Sequence, residues 1–372
     1  MLIKNGNLHI GDGHILAKTD IQIKDKKIFV IGQNLSQQEN EELIDASGKE
    51  VFPGFIDPLC AIGAMGIPTR YMDNAEASNP VMPEMNLRYS VDPDELSAQE
   101  FYKSGITTVG LAPNNETVFG GQIAVFKTPP MNYAERMVKE KVALKCSVTS
   151  AVKERFGEKN ILPMTKMGIF YLWEKMFASL EHKKEESYDP KEKAVKAALD
   201  GELPFLVAAE SQMEIQAILH FFKEKKQRIT ITDGYEFHTC IKEMLENKTN
   251  LILGNLSYLS QKTKHNMDLS ALQALIDNGN LVAFTNTCGG YSEGREVLLW
   301  NAIDVYRAGI DPEEIIRMMT LNPAEILGIE NRIGSIEEGK DADLSIYSAH
   351  PVTSYQARVE TSIVNGEVVY RG

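Results

Sequence analysis

The stretch VFPGFIDPLCAIGAMG, residues 51–66, decides how this chain is read. Around Phe55 and Ile56 it is apolar at neighbouring positions rather than at every second one, with Pro53-Gly54 before it and glycines after it. A strand of that kind is covered on both faces. Similar runs recur as GITTVGLA (105–112), IAVFKT (123–128), ALKCSV (143–148), PFLVAAE (204–210), RITITDG (228–234), NLILGN (250–255) and LVAFTN (281–286). Between many of them lie amphipathic helical patterns, such as SQMEIQAILHFFKEKK (211–226) and MDLSALQALIDNG (267–279). The alternation indicates an α/β protein with a parallel sheet inside a layer of helices. Roughly eight such units over about 280 residues predict a (β/α)8 TIM-like barrel. No phosphate-cradling glycine motif follows any of the strands, which argues against an open doubly wound sheet.

The two ends have a different character. In TDIQIKDKKIFVIGQ (19–33), Ile21 and Ile23 alternate with polar residues, Asp25-Lys26 turns, and Ile28 to Ile31 return. DADLSIYS (341–348) and RVETSIVNGEVVYRG (358–372) continue the pattern, with Asn365-Gly366 as a hairpin turn. A small β-sandwich domain built from both termini is therefore expected, formed by 1–52 plus 333–372, with the barrel spanning 53–332. Residues 71–96, rich in Pro, Asn, Asp and Met, read as a long loop over the barrel mouth. EHKKEESYDPKEK (181–193) reads as an exposed helix end and linker.

Bulk composition narrows the class of partner. The 372 residues are 43% hydrophobic and 24% charged, ordinary values for a globular chain. A net charge of −13 counts against a nucleic-acid or anionic-membrane partner. No run of about 18 apolar residues predicts a membrane span. LIKNGNLHIGDG, following Met1, has neither a basic start nor a long apolar core, so no secretory signal is expected. Cys60, Cys146, Cys240 and Cys288 form no CxxC pair, which suits a reduced, cytoplasmic protein.

Several segments together resemble the amidohydrolase superfamily, most of all its imidazolonepropionase-related and dihydroorotase-like branches. VFPGFID matches the approach to the first barrel strand. GITTVGLAP, FGGQIAVFKT and RFGEKNILPMTKMG have counterparts in one subgroup. The tail TLNPAEILGIENRIGSIEEGKDADLSIY (320–347) is the most specific part: Asn322-Pro323-Ala324, Leu327-Gly328, Gly334-Ser335-Ile336 and Gly339 to Leu344 follow the family pattern. The resemblance implies a barrel whose mouth binds one or two divalent metals. Its ligands would be an HxH pair after the first strand, often a lysine or glutamate in the middle, histidines after strands five and six, and an aspartate after strand eight. A homodimer is the state the relatives imply.

This chain departs from that pattern. The HxH positions hold Leu59 and Ala61, the histidine positions hold Ala208 and Asp233, and the aspartate position holds Asn286. Lys127 is the residue with the character of the middle lysine. A bound metal lowers the pKa of its water from about 15.7 to about 7, so on the order of 12 kcal/mol of water activation is missing. No metal or other cofactor is expected, and zinc only if a site has been rebuilt.

Candidates for a rebuilt site are few. Asp233, with Glu210 and Lys127, is the candidate for a metal-free base, or else a fixed ion pair with Lys127 or Arg70. Cys60 and Cys288 at the mouth, or Cys240 and His238 beside Asp233, suggest a soft zinc or copper site; the ordinary reading is that the thiols are small buried hydrophobes. Asn114 and Asn115 are either amide donors to the pocket or turn residues. Gly120-Gly121 reads as a tight turn. His9, His14, His182, His220 and His265 read as structural. The expected function is a small-molecule-binding or regulatory paralogue of hydrolases acting on C–N bonds in cyclic amides. The alternatives are an active hydrolase with a rebuilt site, and a pocket filled by Leu59, Ala61, Met65 and Ala208.

Overall fold

The computed structural model describes residues 1–64, 72–74, 76–92, 98–223, 225, 227–288, 291–292 and 297–372. Met65, Arg70 and residues 71, 75 and 93–96 of the expected mouth loop lie outside them. Five strands come first: β1 (Leu2–His9), β2 (Ile15–Lys24), β3 (Lys27–Gly32), β4 (Leu43–Asp45) and β5 (Glu50–Pro53). Eight more follow: β6 (Phe55–Cys60), β7 (Ile106–Leu111), β8 (Phe119–Lys127), β9 (Met137–Ser147), β10 (Phe205–Ala209), β11 (Ile229–Asp233), β12 (Asn250–Leu253) and β13 (Val282–Phe284). A short ribbon of β14 (Thr287–Cys288) and β15 (Tyr291–Ser292) precedes β16 (Leu344–Tyr347), β17 (Val359–Val364) and β18 (Glu367–Arg371).

The terminal strands meet in one sheet, ordered β18-β17-β16-β5-β1-β2-β3 with β4 on β1. Its core gathers Ile3, Leu8, Ile21, Ile44 and Val51 from the N-terminal segment with Ile336, Leu344 and Ile363 from the tail. Pro53-Gly54 then hands the chain from this sheet to the barrel. A Cβ on Gly54 would lie 2.0 Å from Thr107 Oγ1, so only glycine permits the close approach.

Strands β6 to β13 form the second sheet in sequence order, curled into a nearly closed TIM-like barrel. Alternation along each strand sorts the side chains into two cores. Phe205, Val207 and Ala209 of β10 face the helices, while Leu206 faces the barrel axis with Ile56, Ile123, Ala143, Ile252 and Ala283. The outer core is aromatic around the helix Lys166–His182, where Trp173 packs on Phe119 at 4.4 Å and near Phe205 and Phe222.

One strand departs from the expected all-parallel pattern. β8 pairs antiparallel with both β7 and β9, so its C-terminal end lies at the base of the barrel. That reversal corrects the placement of Lys127. Instead of reaching the mouth, its amine is buried at the base, 3.1 Å from Asp341 and in contact with Asp343. Lys27 and Arg332 also bind Asp341. Burial opposes ionisation there, yet Lys127, Lys27 and Arg332 hold the Asp341 carboxyl down at about 2. The GKDAD segment of the tail thus fastens the terminal sheet to the barrel floor through charge.

Breaking a buried pair from one side leaves a charge uncompensated, at a cost of about 3–5 kcal/mol. Lys127→Met should lower unfolding stability in urea by that amount. A loss below about 1 kcal/mol would show that the cluster is not holding the two parts together.

Candidate functional site: a polar chain at the barrel mouth

The C-terminal ends of the parallel strands converge on a cavity of about 10 Å³, lined by Leu59, Cys60, Ala112, Pro113, Asn115, Lys145, Asp233, Thr285 and Thr287. That is room for about one water molecule. Lys145 is the residue that the sequence reading passed over. It lies on β9 between Leu144 and Cys146, which face the outer core, so it shares the inward face of Ala143. Its side chain is 3% exposed. The amine donates to Asn115 Oδ1 at 2.6 Å, and Asn115 Nδ2 donates to Asp233 Oδ2 at 3.1 Å. Thr232 Oγ1 adds a 3.2 Å bond to the same carboxylate oxygen.

Asp233 reaches this position through its backbone. By alternation it would follow Ile229 and Ile231 outward. Its φ of 68°, in the left-handed region that aspartate tolerates better than most residues, turns the chain as β11 ends. The carboxylate thereby faces the cavity and closes a Lys145–Asn115–Asp233 chain. Of the two asparagines considered from sequence, Asn115 lines the cavity, whereas Asn114 accepts from Glu116 N–H and shapes the loop.

Electrostatics bind the group together. Burial pulls the Lys145 amine below its ordinary range, while Asp233 and Glu210 resist. Glu210, just beyond β10, is pushed up to about 7, first by burial and then by the charges of Asp233 and Glu214. Lys145 opposes that rise. The site therefore holds one buried amine, one carboxylate joined to it through an amide, and one carboxyl that titrates near neutrality.

The barrel seam beside this chain rests on Asp57, another residue not singled out from sequence. No β13–β6 ladder is present among the described residues. Thr285 Oγ1 lies instead 2.7 Å from Asp57 Oδ1 and 2.6 Å from the Leu59 carbonyl oxygen. Asn286 N–H and Leu59 N–H each donate to the Asp57 carboxyl at 3.2 Å. A threonine hydroxyl has one proton, so it serves both acceptors only when Asp57 is protonated and donates in return. Burial pushes Asp57 up to about 7, consistent with that arrangement.

At the positions that the resemblance assigns to metal ligands, Leu59, Ala61 and Ala208 are buried and apolar. Asn286 is buried, with neither atom of its carboxamide hydrogen-bonded. Asp233 and Glu210 supply the carboxylates. Borderline divalent ions are held by imidazole, thiolate and carboxylate in sets of three or four, and these residues do not provide such a set. Cys60 lines the cavity, but Cys146 faces the outer core and Cys240 is buried under the helix Gln212–Lys223, its thiol near Gln212 O. The Cys288 side chain lies outside the described residues. Among the described residues, a His/Glu/His group whose ligand atoms lie within 4.8 Å of one another sits elsewhere, at His9, Glu313 and His350. His350 was not weighed from sequence at all.

A curled eight-stranded barrel with a polar cluster at its C-terminal mouth, carried beside a sheet made of both termini, defines a TIM-like barrel protein with an appended β sheet. Residues 182–369 match the amidohydrolase family, and the chain belongs to it. Over 106 residues it is 34% identical to an imidazolonepropionase of Kosmotoga olearia, covering 26% of this chain and 25% of that protein. The chain thus matches only about a quarter of the length of that relative. Against a 5-methylthioadenosine/S-adenosylhomocysteine deaminase of Pyrococcus furiosus the identity is 26%, over 99% of this chain and 94% of that one. An amidohydrolase structure from Thermotoga maritima superposes with a TM-score of 0.89 at 27% identity, covering both chains completely. No helix among the described residues is long and apolar enough to cross a membrane.

Because Asp57 binds its proton more tightly in the fold than in the unfolded chain, folding takes up a proton between about pH 4 and 7. Its contribution to stability is complete below that window and is lost as pH rises through it. Urea unfolding at stepped pH should show that decline in the wild type and a flatter profile in Asp57→Asn. Identical slopes in the two proteins would contradict the protonated seam.

Proposed function

We propose that this protein is an amidohydrolase-family member whose metal-dependent hydrolytic site has been replaced by a metal-free polar chain, and that it works by binding or regulation. The observation that carries the reading is the run Lys145–Asn115–Asp233, in which a buried amine is joined through an amide to a carboxyl group. With the amine in its charged form, a dication about 4 Å away would be opposed by roughly 8 kcal/mol at an effective dielectric of about 20. Leu59, Ala61 and Ala208 offer no donor that offsets such a cost.

The small cavity supports the same conclusion, since it has no room for a metal, its water and a substrate together. The cavity as it stands is also too small for a cyclic amide or a nucleoside, so a small polar ligand of that class would contact the mouth from outside it. We take the unit as residues 53–332 carrying the domain of 1–52 plus 333–372, cytoplasmic and homodimeric.

A second reading is favoured by one observation. A buried amine lowered from its usual range and a carboxyl raised to about 7 at the same mouth resemble an acid–base pair. In that case Glu210 and Asp233 act without metal, and turnover follows a bell-shaped pH profile.

Assays with imidazolone propionate, 5-methylthioadenosine, S-adenosylhomocysteine and a panel of cyclic amides, with and without added Zn²⁺ or Mn²⁺, separate the readings. No turnover under either condition is expected. Turnover that needs the added metal would overturn the proposal. Metal-independent turnover lost in Lys145→Met and Asp233→Asn would establish the second reading.

A further inference from the structure

Away from the barrel mouth, three segments distant in sequence bring metal-ligating side chains together. His9 ends β1, His350 follows β16, and Glu313 lies in the first turn of the helix Pro312–Met319, capped by Asp311. His9 Nδ1 is 2.9 Å from both carboxylate oxygens of Glu313, and His350 Nε2 is 3.3 Å from Glu313 Oε1. All three ligand atoms lie within 4.8 Å of one another. Ligands on a tetrahedral ion with bonds of about 2.0–2.1 Å sit about 3.3 Å apart.

We propose that His9, Glu313 and His350 form a divalent metal site, of the type that takes zinc, which ties the terminal sheet to the barrel. Surrounding residues already orient the two imidazoles. Glu50 Oε2 lies 2.9 Å from His9 Nε2, and a carboxylate on the outer nitrogen is the usual way a ligating imidazole is fixed. Phe52 stacks on His9 at 4.2 Å and meets His350 edge-on at 5.4 Å. His9 is 3% exposed, while Glu313 and His350 are partly buried, so an ion would enter a shielded but reachable site.

Charge also balances. Two carboxylates, Glu50 and Glu313, face one doubly hydrogen-bonded imidazole, and a dication in place of the His9 Nδ1 proton leaves the cluster neutral. In the ion-free molecule His350 Nδ1 accepts from Val352 N–H, which leaves its own proton on Nε2, donated to Glu313. Ion binding therefore releases the His9 Nδ1 proton and moves the His350 proton to Nδ1, giving up the Val352 bond. Two imidazoles with one carboxylate suit a borderline ion rather than calcium or magnesium.

The test uses full-length protein purified without an affinity tag and stripped with chelator. Zn²⁺ is titrated by calorimetry and Co²⁺ by visible absorption. One equivalent is expected to bind at about micromolar affinity or tighter, with at least tenfold weakening in His350→Ala and in Glu313→Gln. Asp233→Asn should bind as the wild type does. At a zinc concentration near the wild-type Kd, zinc should raise the melting temperature of the wild type and that of His350→Ala by clearly less. ¹⁵N shifts of His9 Nδ1 and His350 Nε2 in the zinc-loaded wild type report ligation without any variant. Equal affinity in wild type and His350→Ala, or ring-nitrogen shifts that zinc does not move, would reduce the cluster to a hydrogen-bonded junction. An ion lost in Asp233→Asn but kept in His350→Ala would overturn this site and, separately, the metal-free reading of the mouth.

Discussion

One buried amine at the mouth of the nearly closed barrel, Lys145, sets the terms for the groups around it. Lys145 is placed there by strand alternation, and a buried amine requires hydrogen-bond partners. Asn115 supplies the first, and Asp233, turned by its left-handed backbone, supplies the counter-charge one amide further on. Glu210 then feels two neighbouring carboxylates as well as the amine and titrates near neutrality.

The two ends of the barrel use charge differently. At the floor, Lys127, Lys27 and Arg332 converge on Asp341, with Asp343 beside them. That is a balanced structural cluster, and it gives the GKDAD segment of the tail a physical meaning without any catalytic one. At the mouth the cluster is smaller: Asn115 links Lys145 to Asp233, while the Thr285 hydroxyl separately ties Asp57 to the Leu59 carbonyl. Asp57 occupies the gap where β13 and β6 lack a ladder, so a side chain completes what backbone pairing does elsewhere.

Much of the fold was legible because it depends on periodicity. Near-continuous apolar runs gave the barrel strands, and the NPA, LG and GKDAD tail gave the family. The pairing direction of β8 was not legible, since IAVFKT reads alike in either direction, and that is why Lys127 was assigned to the mouth. Lys145 was overlooked inside ALKCSV, where it breaks an apolar run; an inward lysine in such a strand is itself a signal. Asp233 was visible as a carboxylate at a strand end, but its φ and its link to Asn115 require the assembled rim. Leu59, Ala61 and Ala208 were readable as non-ligands, because aliphatic side chains cannot coordinate in any geometry.

The central claim is that the positive charge at the mouth belongs to Lys145 and not to a metal ion. A crystal soaked in millimolar zinc, with anomalous data collected on both sides of the zinc edge, addresses it directly. The account predicts no peak within bonding distance of Asp233 or Glu210, and an unmodified Lys145 side chain in contact with Asn115. A full-occupancy zinc peak bonded to Asp233, with Lys145 displaced or carrying an added carboxylate, would contradict it.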